Sequence, residues 1–273
     1  MSDNQAYTYD HLWSDIAEFK KLYRDIPVFS IGESVEGRSL LAIKLGNGTR
    51  RIFYNGAHHG MEWLTAKVLF KLSDDLASGK HNANKILNGV SLYIVPMVNP
   101  DGVRLAADGN SWQANARGVD LNHNYDAMWQ LSKSLEASSG ITKPGPTRFG
   151  GEYPESEPES RAVANFTRQN KFDMAIALHS QGEVIYYDFC GSIPNGTEEY
   201  LTRFENVSAY RRDMPSGISA YGGFKDWFIK QFKKPGFTVE IGIGENPLPL
   251  SDFDKVYNGV LPILLEGLKN PID

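Results

Sequence analysis

The sequence predicts an α/β domain whose sheet is buried between helices on both faces. Strand-length apolar runs alternate with segments of helical period. The chain shows no internal repeat, no low-complexity tract and no linker-like shift in composition, so residues 1–273 read as one domain. A chain of 273 residues with 41% apolar side chains can bury one sizeable core.

In order along the chain, Leu12, Ile16, Phe19 and Leu22-Tyr23 recur every three or four residues, which predicts an amphipathic helix over 10–24 that stops before Pro27. Val28–Ile31 and Leu40–Leu45 read as strands joined across Glu36-Gly37 as a hairpin. Ile52–Gly56 is a short apolar strand, followed by a helix that includes Val68–Leu76. Ser91–Val98 is a strand closed by Asn99-Pro100-Asp101-Gly102, which reads as a turn. Residues 108–154 lack periodicity, and so long an irregular stretch inside a compact domain points to function. Ser156 and Glu159 have the spacing of a capping box that opens a helix to about Asn170. Asp173–Leu178, Val184–Tyr187 and Phe237–Ile241 read as strands. Thr197–Tyr210, Gly223–Phe232 and Ser251–Lys269 read as helices, the last bent at Pro262.

Composition narrows the function. With 28 basic against 33 acidic side chains, a net charge of −5 and a pI near 5.7, the chain lacks the basic surplus of a nucleic-acid binder. No apolar run approaches the ~20 residues of a membrane span. The polar start Met1-Ser2-Asp3-Asn4-Gln5 does not resemble a secretory leader. A single cysteine, Cys190, fits a reducing compartment and reads as a buried structural thiol. The expectation is a cytoplasmic protein. Nucleophile elbows, Walker loops and dinucleotide fingerprints are absent. Trp112, Tyr125 and Trp129 can serve a pocket or a core.

Among six histidines, His11 and His81 sit in polar surroundings that demand nothing of them. His59 and Glu62, separated by two residues where a strand ends and a helix begins, can converge on one point. His179 ends another strand, and ligands of covered sheets gather at strand carboxyl ends. Two imidazoles and one carboxylate around zinc leave a fourth position open for water, the catalytic pattern. Glu240 lies in the strand Gly236-Phe237-Thr238-Val239-Glu240, where a carboxylate is costly unless paired or used. Used, it would be the general base for a metal-activated water. Paired, it would be a salt-bridged core residue.

His59-Gly60-Met61-Glu62-Trp63, Asn99-Pro100-Asp101-Gly102, Gly118-Val119-Asp120-Leu121-Asn122, Ala177-Leu178-His179-Ser180 and Thr238-Val239-Glu240 occur in the order and spacing of the zinc carboxypeptidase family. The resemblance runs from about residue 10 to the C-terminus. It implies a mixed, mostly parallel sheet of about eight strands, one zinc held by His59, Glu62 and His179, and Glu240 as general base and acid. Gly182–Tyr187, Gly222–Phe228 and Gly242–Leu250 are similar to the branch acting on γ-D-glutamyl–diaminopimelate peptides of bacterial cell walls.

Departures from the family pattern bear on the substrate. The family's carboxylate-gripping arginine after Asn122 is His123 here, a weaker carboxylate partner. Its carbonyl-polarising arginine is Gln113, with Arg117 nearby, and Tyr221 adjoins Gly222-Gly223 more closely than the family's mobile tyrosine does. Lys225, before the Asp226-Trp227 pair, would suit an anionic side chain such as that of diaminopimelate. These residues (Gln113, Arg117, Asn122, His123, Tyr221 and Lys225) form the expected substrate site. The reading is a zinc peptidase that cleaves the γ-D-glutamyl–meso-diaminopimelate bond of a murein peptide, with no nucleic-acid or membrane partner. Rival readings are an ordinary metallocarboxypeptidase, a zinc deacylase of N-acyl amino acids, and a peptide binder that has lost turnover.

Overall fold

The computed structural model describes residues 6–270. Its strands are β1 (Val28–Glu33), β2 (Ser39–Leu45), β3 (Arg50–Gly56), β4 (Val90–Val95), β5 (Met174–His179), β6 (Val184–Tyr186), β7 (Arg211–Asp213) and β8 (Gly236–Glu240). They form one sheet in the order β1-β2-β4-β3-β5-β8-β6-β7. The central strands β4, β3, β5 and β8 run parallel, so their carboxyl ends share one edge. β6 and β7 are also parallel, while the pairs β1–β2, β2–β4 and β6–β8 are antiparallel.

The helices are α1 (Tyr9–Leu22), α2 (Trp63–Ala77), α3 (Ala83–Leu87), α4 (Pro100–Ala107), α5 (Trp129–Ser138), α6 (Pro158–Asn170), α7 (Thr197–Val207), α8 (Phe224–Phe232) and α9 (Phe253–Gly267). Strand side chains alternate between two cores, as period two requires. Ile52 and Tyr54, Leu92 and Ile94, and Ile176 and Leu178 pack with α1, α2, α7 and α9. Phe53, Tyr93, Ala175 and Ala177 face the other way, against α6 and α8. On that second face alanines make room for aromatics: Phe53 and Phe172 stack with centroids 4.8 Å apart. Each fully buried large apolar side chain contributes about 1.5–3 kcal/mol. Among the described residues no helix is long and apolar enough to cross a membrane.

Three local expectations differ from the structure. Asn99-Pro100-Asp101-Gly102 opens α4 instead of making a free turn. Asn99 Oδ1 accepts from Gly102 N at 2.9 Å, and Pro100 takes the first helical position, where its missing N–H costs nothing. Ser156 and Glu159 form no capping box. Ser156 Oγ donates to Glu157 Oε1 at 2.9 Å, while Glu159 Oε1 reaches the backbone N–H of Val35 at 3.1 Å, so a tertiary partner displaces the local one. The irregular stretch contains α5, and Pro262 lies inside α9.

Candidate metal and catalytic site

After β3, the His58–His59–Gly60 turn is held from several directions. Ala57 N donates to Thr65 Oγ1 (2.8 Å), Asn99 Nδ2 donates to His58 O (2.9 Å), and Gly60 N donates to Gln113 O (2.9 Å). Gly60 passes so close to α4 that a Cβ there would lie 2.3 Å from Gly102 O, which requires glycine. Glu62 follows one turn later, at the start of α2. Register does the rest. Gly56 pairs with Leu178, so His179 falls beside the turn, and His179 pairs with Glu240 on the next parallel strand.

These residues meet. His59 Nδ1 lies 2.8 Å from Glu62 Oε1 and 3.3 Å from His179 Nδ1, and His179 Nδ1 lies 3.0 Å from Glu62 Oε2. The arrangement fits a cation better than a hydrogen-bond network. Glu62 Oε2 is buried without an aligned hydrogen bond, despite the nearby imidazole nitrogen. His59 Nε2 faces Asp120 Oδ1 at 3.1 Å; because a carboxylate only accepts, the neutral ring carries its hydrogen there and turns a bare Nδ1 toward the cluster. Two ligands about 2.0–2.1 Å from a tetrahedral ion stand roughly 3.3 Å apart, close to the spacing of the two Nδ1 atoms.

Asp120 stands where a carboxylate would orient His59 as a metal ligand. It accepts the backbone N–H groups of Asn122 (3.1 Å) and Arg148 (2.8 Å). Burial pushes its pKa up, but His59, His123 and the Arg148 N–H outweigh it and hold the carboxyl well below its usual range. His58 is fully buried, bonded through Nε2 to Tyr125 OH at 3.0 Å, and burial lowers its pKa. It belongs to the support of the site. Glu240, first by burial and then by the nearby charge of Glu62, is pushed up to about 8. A divalent cation on the cluster would favour its ionised form.

Beside the cluster a pocket of about 130 Å³ is lined by His59, Asn122, His123, His179, Lys225 and Glu240, with Pro215 and Ser219 at its wall. A larger hollow of about 1050 Å³ near Arg50 and Leu261 includes none of these groups. Asn122 Oδ1 accepts Phe224 N at 3.0 Å, tying the single turn Leu121–His123 to the start of α8. Lys225 is buried, with Nζ 2.5 Å from Asp226 Oδ1 and also bonded to Asp188 O.

Gln113, Arg117 and Tyr221 lie outside the lining residues. Gln113 Oε1 accepts from Thr147 Oγ1 at 2.5 Å, exposed Arg117 approaches Glu157 Oε2 at 3.6 Å, and Tyr221 packs against the second core. Cys190 is exposed, contrary to the buried thiol expected. In the tight turn from Phe189 to Ser192 it is Phe189 that turns inward, while Cys190 Sγ lies 3.6 Å from Met128 Sδ. Sequence reasoning assigned no role to Asp120, although it stands in the quoted Gly118–Asn122 motif. Pro215 and Ser219 carry no motif at all.

A model of the family described as zinc carboxypeptidase matches residues 13–261. Gamma-D-glutamyl-L-diamino acid endopeptidase 1 of Lysinibacillus sphaericus is 35% identical, over 98% of this chain and 74% of the relative. Among solved structures, thrombin-activatable fibrinolysis inhibitor matches with a TM-score of 0.81 at 22% identity, over 97% of this chain and 74% of that one. Murein-tripeptide amidase from Escherichia coli O157 matches at 0.60 and 21% identity, over 93% and 97% respectively. At such identities these two structures speak for the fold alone.

Proposed function

The chain belongs to the zinc carboxypeptidase family and is a zinc metallopeptidase; from that premise we propose that it hydrolyses the γ-D-glutamyl–meso-diaminopimelate bond of a murein-derived peptide. His59, Glu62 and His179 would hold one zinc. A zinc ion there supplies Lewis acidity and brings the pKa of water down to about 7. Glu240 takes the proton of the attacking water and returns it to the departing amine. Asp120 keeps the His59 ring in the tautomer that leaves Nδ1 free.

The observation that carries the substrate is the buried Lys225 in the pocket with Glu240. Its ammonium has three donors; Asp188 O accepts one and the Asp226 carboxylate lies beside it as an ion pair, which leaves a donor for a carboxylate on the substrate side chain. The name of the Lysinibacillus relative, a gamma-D-glutamyl-L-diamino acid endopeptidase, supports the same bond. A cytoplasmic setting is supported by the exposed thiol of Cys190. Mass spectrometry of products from a muropeptide panel, with and without a chelator, tests the reading. Cleavage at γ-D-glutamyl–diaminopimelate that stops on chelation is expected. A protein that cuts only α-linked peptides refutes the substrate.

A further inference from the structure

On the second-core side of the sheet, Asn55 Oδ1 and Nδ2, His58 Nδ1 and His179 Nε2 are buried polar atoms with no hydrogen-bond partner among the described residues. Asn55 is completely buried near the end of β3. Period two sets it on the face of Phe53, and its cross-strand neighbours Val95 and Ala177 carry no polar side-chain atom. Phe53 and His58 both pack on the Phe224 ring, at centroid distances of 5.8 Å and 5.9 Å, which brackets Asn55 from either side along the chain. A buried amide is almost always hydrogen-bonded, to protein or to ordered water.

His179 stands on the face of Ala177, two residues beyond the partner of Asn55. Two residues along a strand (~6.6 Å) and one strand across (~4.8 Å) put the Cβ atoms of Asn55 and His179 about 8 Å apart. The amide and the imidazole cover part of that span, and one water fills the rest. The methyl group of Ala177 leaves room there that a larger side chain would take. The His58 ring lies 5.6 Å from that of His179, inclined by only 21°, so its unpartnered Nδ1 flanks the same place. With Nδ1 turned to the cluster, neutral His179 carries its hydrogen on Nε2, which then needs an acceptor. A metal-bound histidine gives that hydrogen to a carboxylate, a carbonyl or a water. Asp120 faces Nε2 of His59, whereas Nε2 of His179 meets no acceptor among the described residues.

We infer that Asn55 anchors an ordered water that accepts the Nε2 hydrogen of His179, which makes Asn55 the positioning residue of that ligand. The water donates one hydrogen to Asn55 Oδ1. It keeps a second hydrogen and a lone pair, enough to meet His58 Nδ1 in either tautomer of that ring. The inference rests on the zinc ligands of the proposed function and is independent of its substrate.

The test joins a crystal structure of the zinc-loaded wild type to zinc affinities of Asn55→Leu and Asn55→Asp, read by competition with a chelator. The crystal should show a water within about 3.2 Å of both Asn55 Oδ1 and His179 Nε2. Asn55→Leu, similar in size and apolar, expels that water, and zinc affinity should fall by about 10–100-fold. Asn55→Asp keeps an acceptor and should bind zinc as tightly as the wild type or more so. If Asn55 served packing alone, Asn55→Asp would place a charge among apolar neighbours and bind zinc no better than Asn55→Leu. That result overturns the inference, as does an unchanged affinity in Asn55→Leu. A zinc-loaded wild type without the water overturns it whether or not the variants fold, and leaves the ligand set standing. A wild type that binds no zinc overturns the ligand set and the inference together.

Discussion

His59, Glu62, His179 and Glu240 stand at the ends of three adjacent parallel strands, whereas Asn122, His123 and Lys225 stand on a single turn and a helix start from other parts of the chain. The first group is placed by sheet register, and a one-residue slip would move every side chain to the opposite face. The second is placed by loop backbone, pinned through Asn122 to Phe224 N and through Glu136 to Gly150 N. Register is rigid and ordered by strand pairing, while loops can exchange side chains without disturbing the core. Under the proposed function, chemistry is held by the sheet, and selectivity by what is laid over its edge.

The largest expected effect lies on the sheet side. Glu240→Gln should lower kcat by about 10²–10⁴-fold while zinc content stays whole; retained hydrolysis would remove Glu240 from the proton transfers. Asp120→Asn should weaken zinc binding by about 10–100-fold, read by competition with a chelator, because His59 loses the partner that fixes its tautomer. An unchanged affinity would mean that the orientation of His59 comes from the turn alone. On the loop side, Lys225→Met should cost about ten-fold in kcat/KM for diaminopimelate peptides and much less for substrates without the side-chain carboxylate. Equal losses for both would make Lys225 a fold residue.

The smallest effect belongs to neither side. Glu159, buried beneath the β1–β2 turn, has its carboxyl pushed up to about 7 by burial. Its folded pKa exceeds its unfolded one. Its contribution is therefore fully present below about pH 4.5 and is lost as pH rises through 7. Glu159→Gln should flatten the fall in Tm between pH 5 and pH 8 by a few degrees. A variant with the same slope as the wild type would show that another group titrates there.

Legibility in the sequence follows the same division. Apolar spacing revealed α1, β3, β4, β5 and β8 to within a few residues, because each buries a face that its own period creates. The short edge strand β7 escaped notice: Arg211–Asp213 carries no apolar pattern. Asn99 read as a turn residue because turns and helix starts use the same side-chain chemistry. Cys190 read as buried because cysteine usually is, yet its neighbour Phe189 holds the inward place in that turn.

The sequence by itself determined the sheet, its helices and the residue types gathered at the strand ends, since burial periodicity and short motifs are local properties of the chain. Only the tertiary structure decided that His123 meets Ser132 and, behind it, Glu136, that Lys225 shares its ammonium with Asp226 and Asp188 O, and that Asp120 faces His59. Such meetings depend on where one loop lies against another in space, and hydrogen-bond partners far apart in the chain leave no periodicity to read.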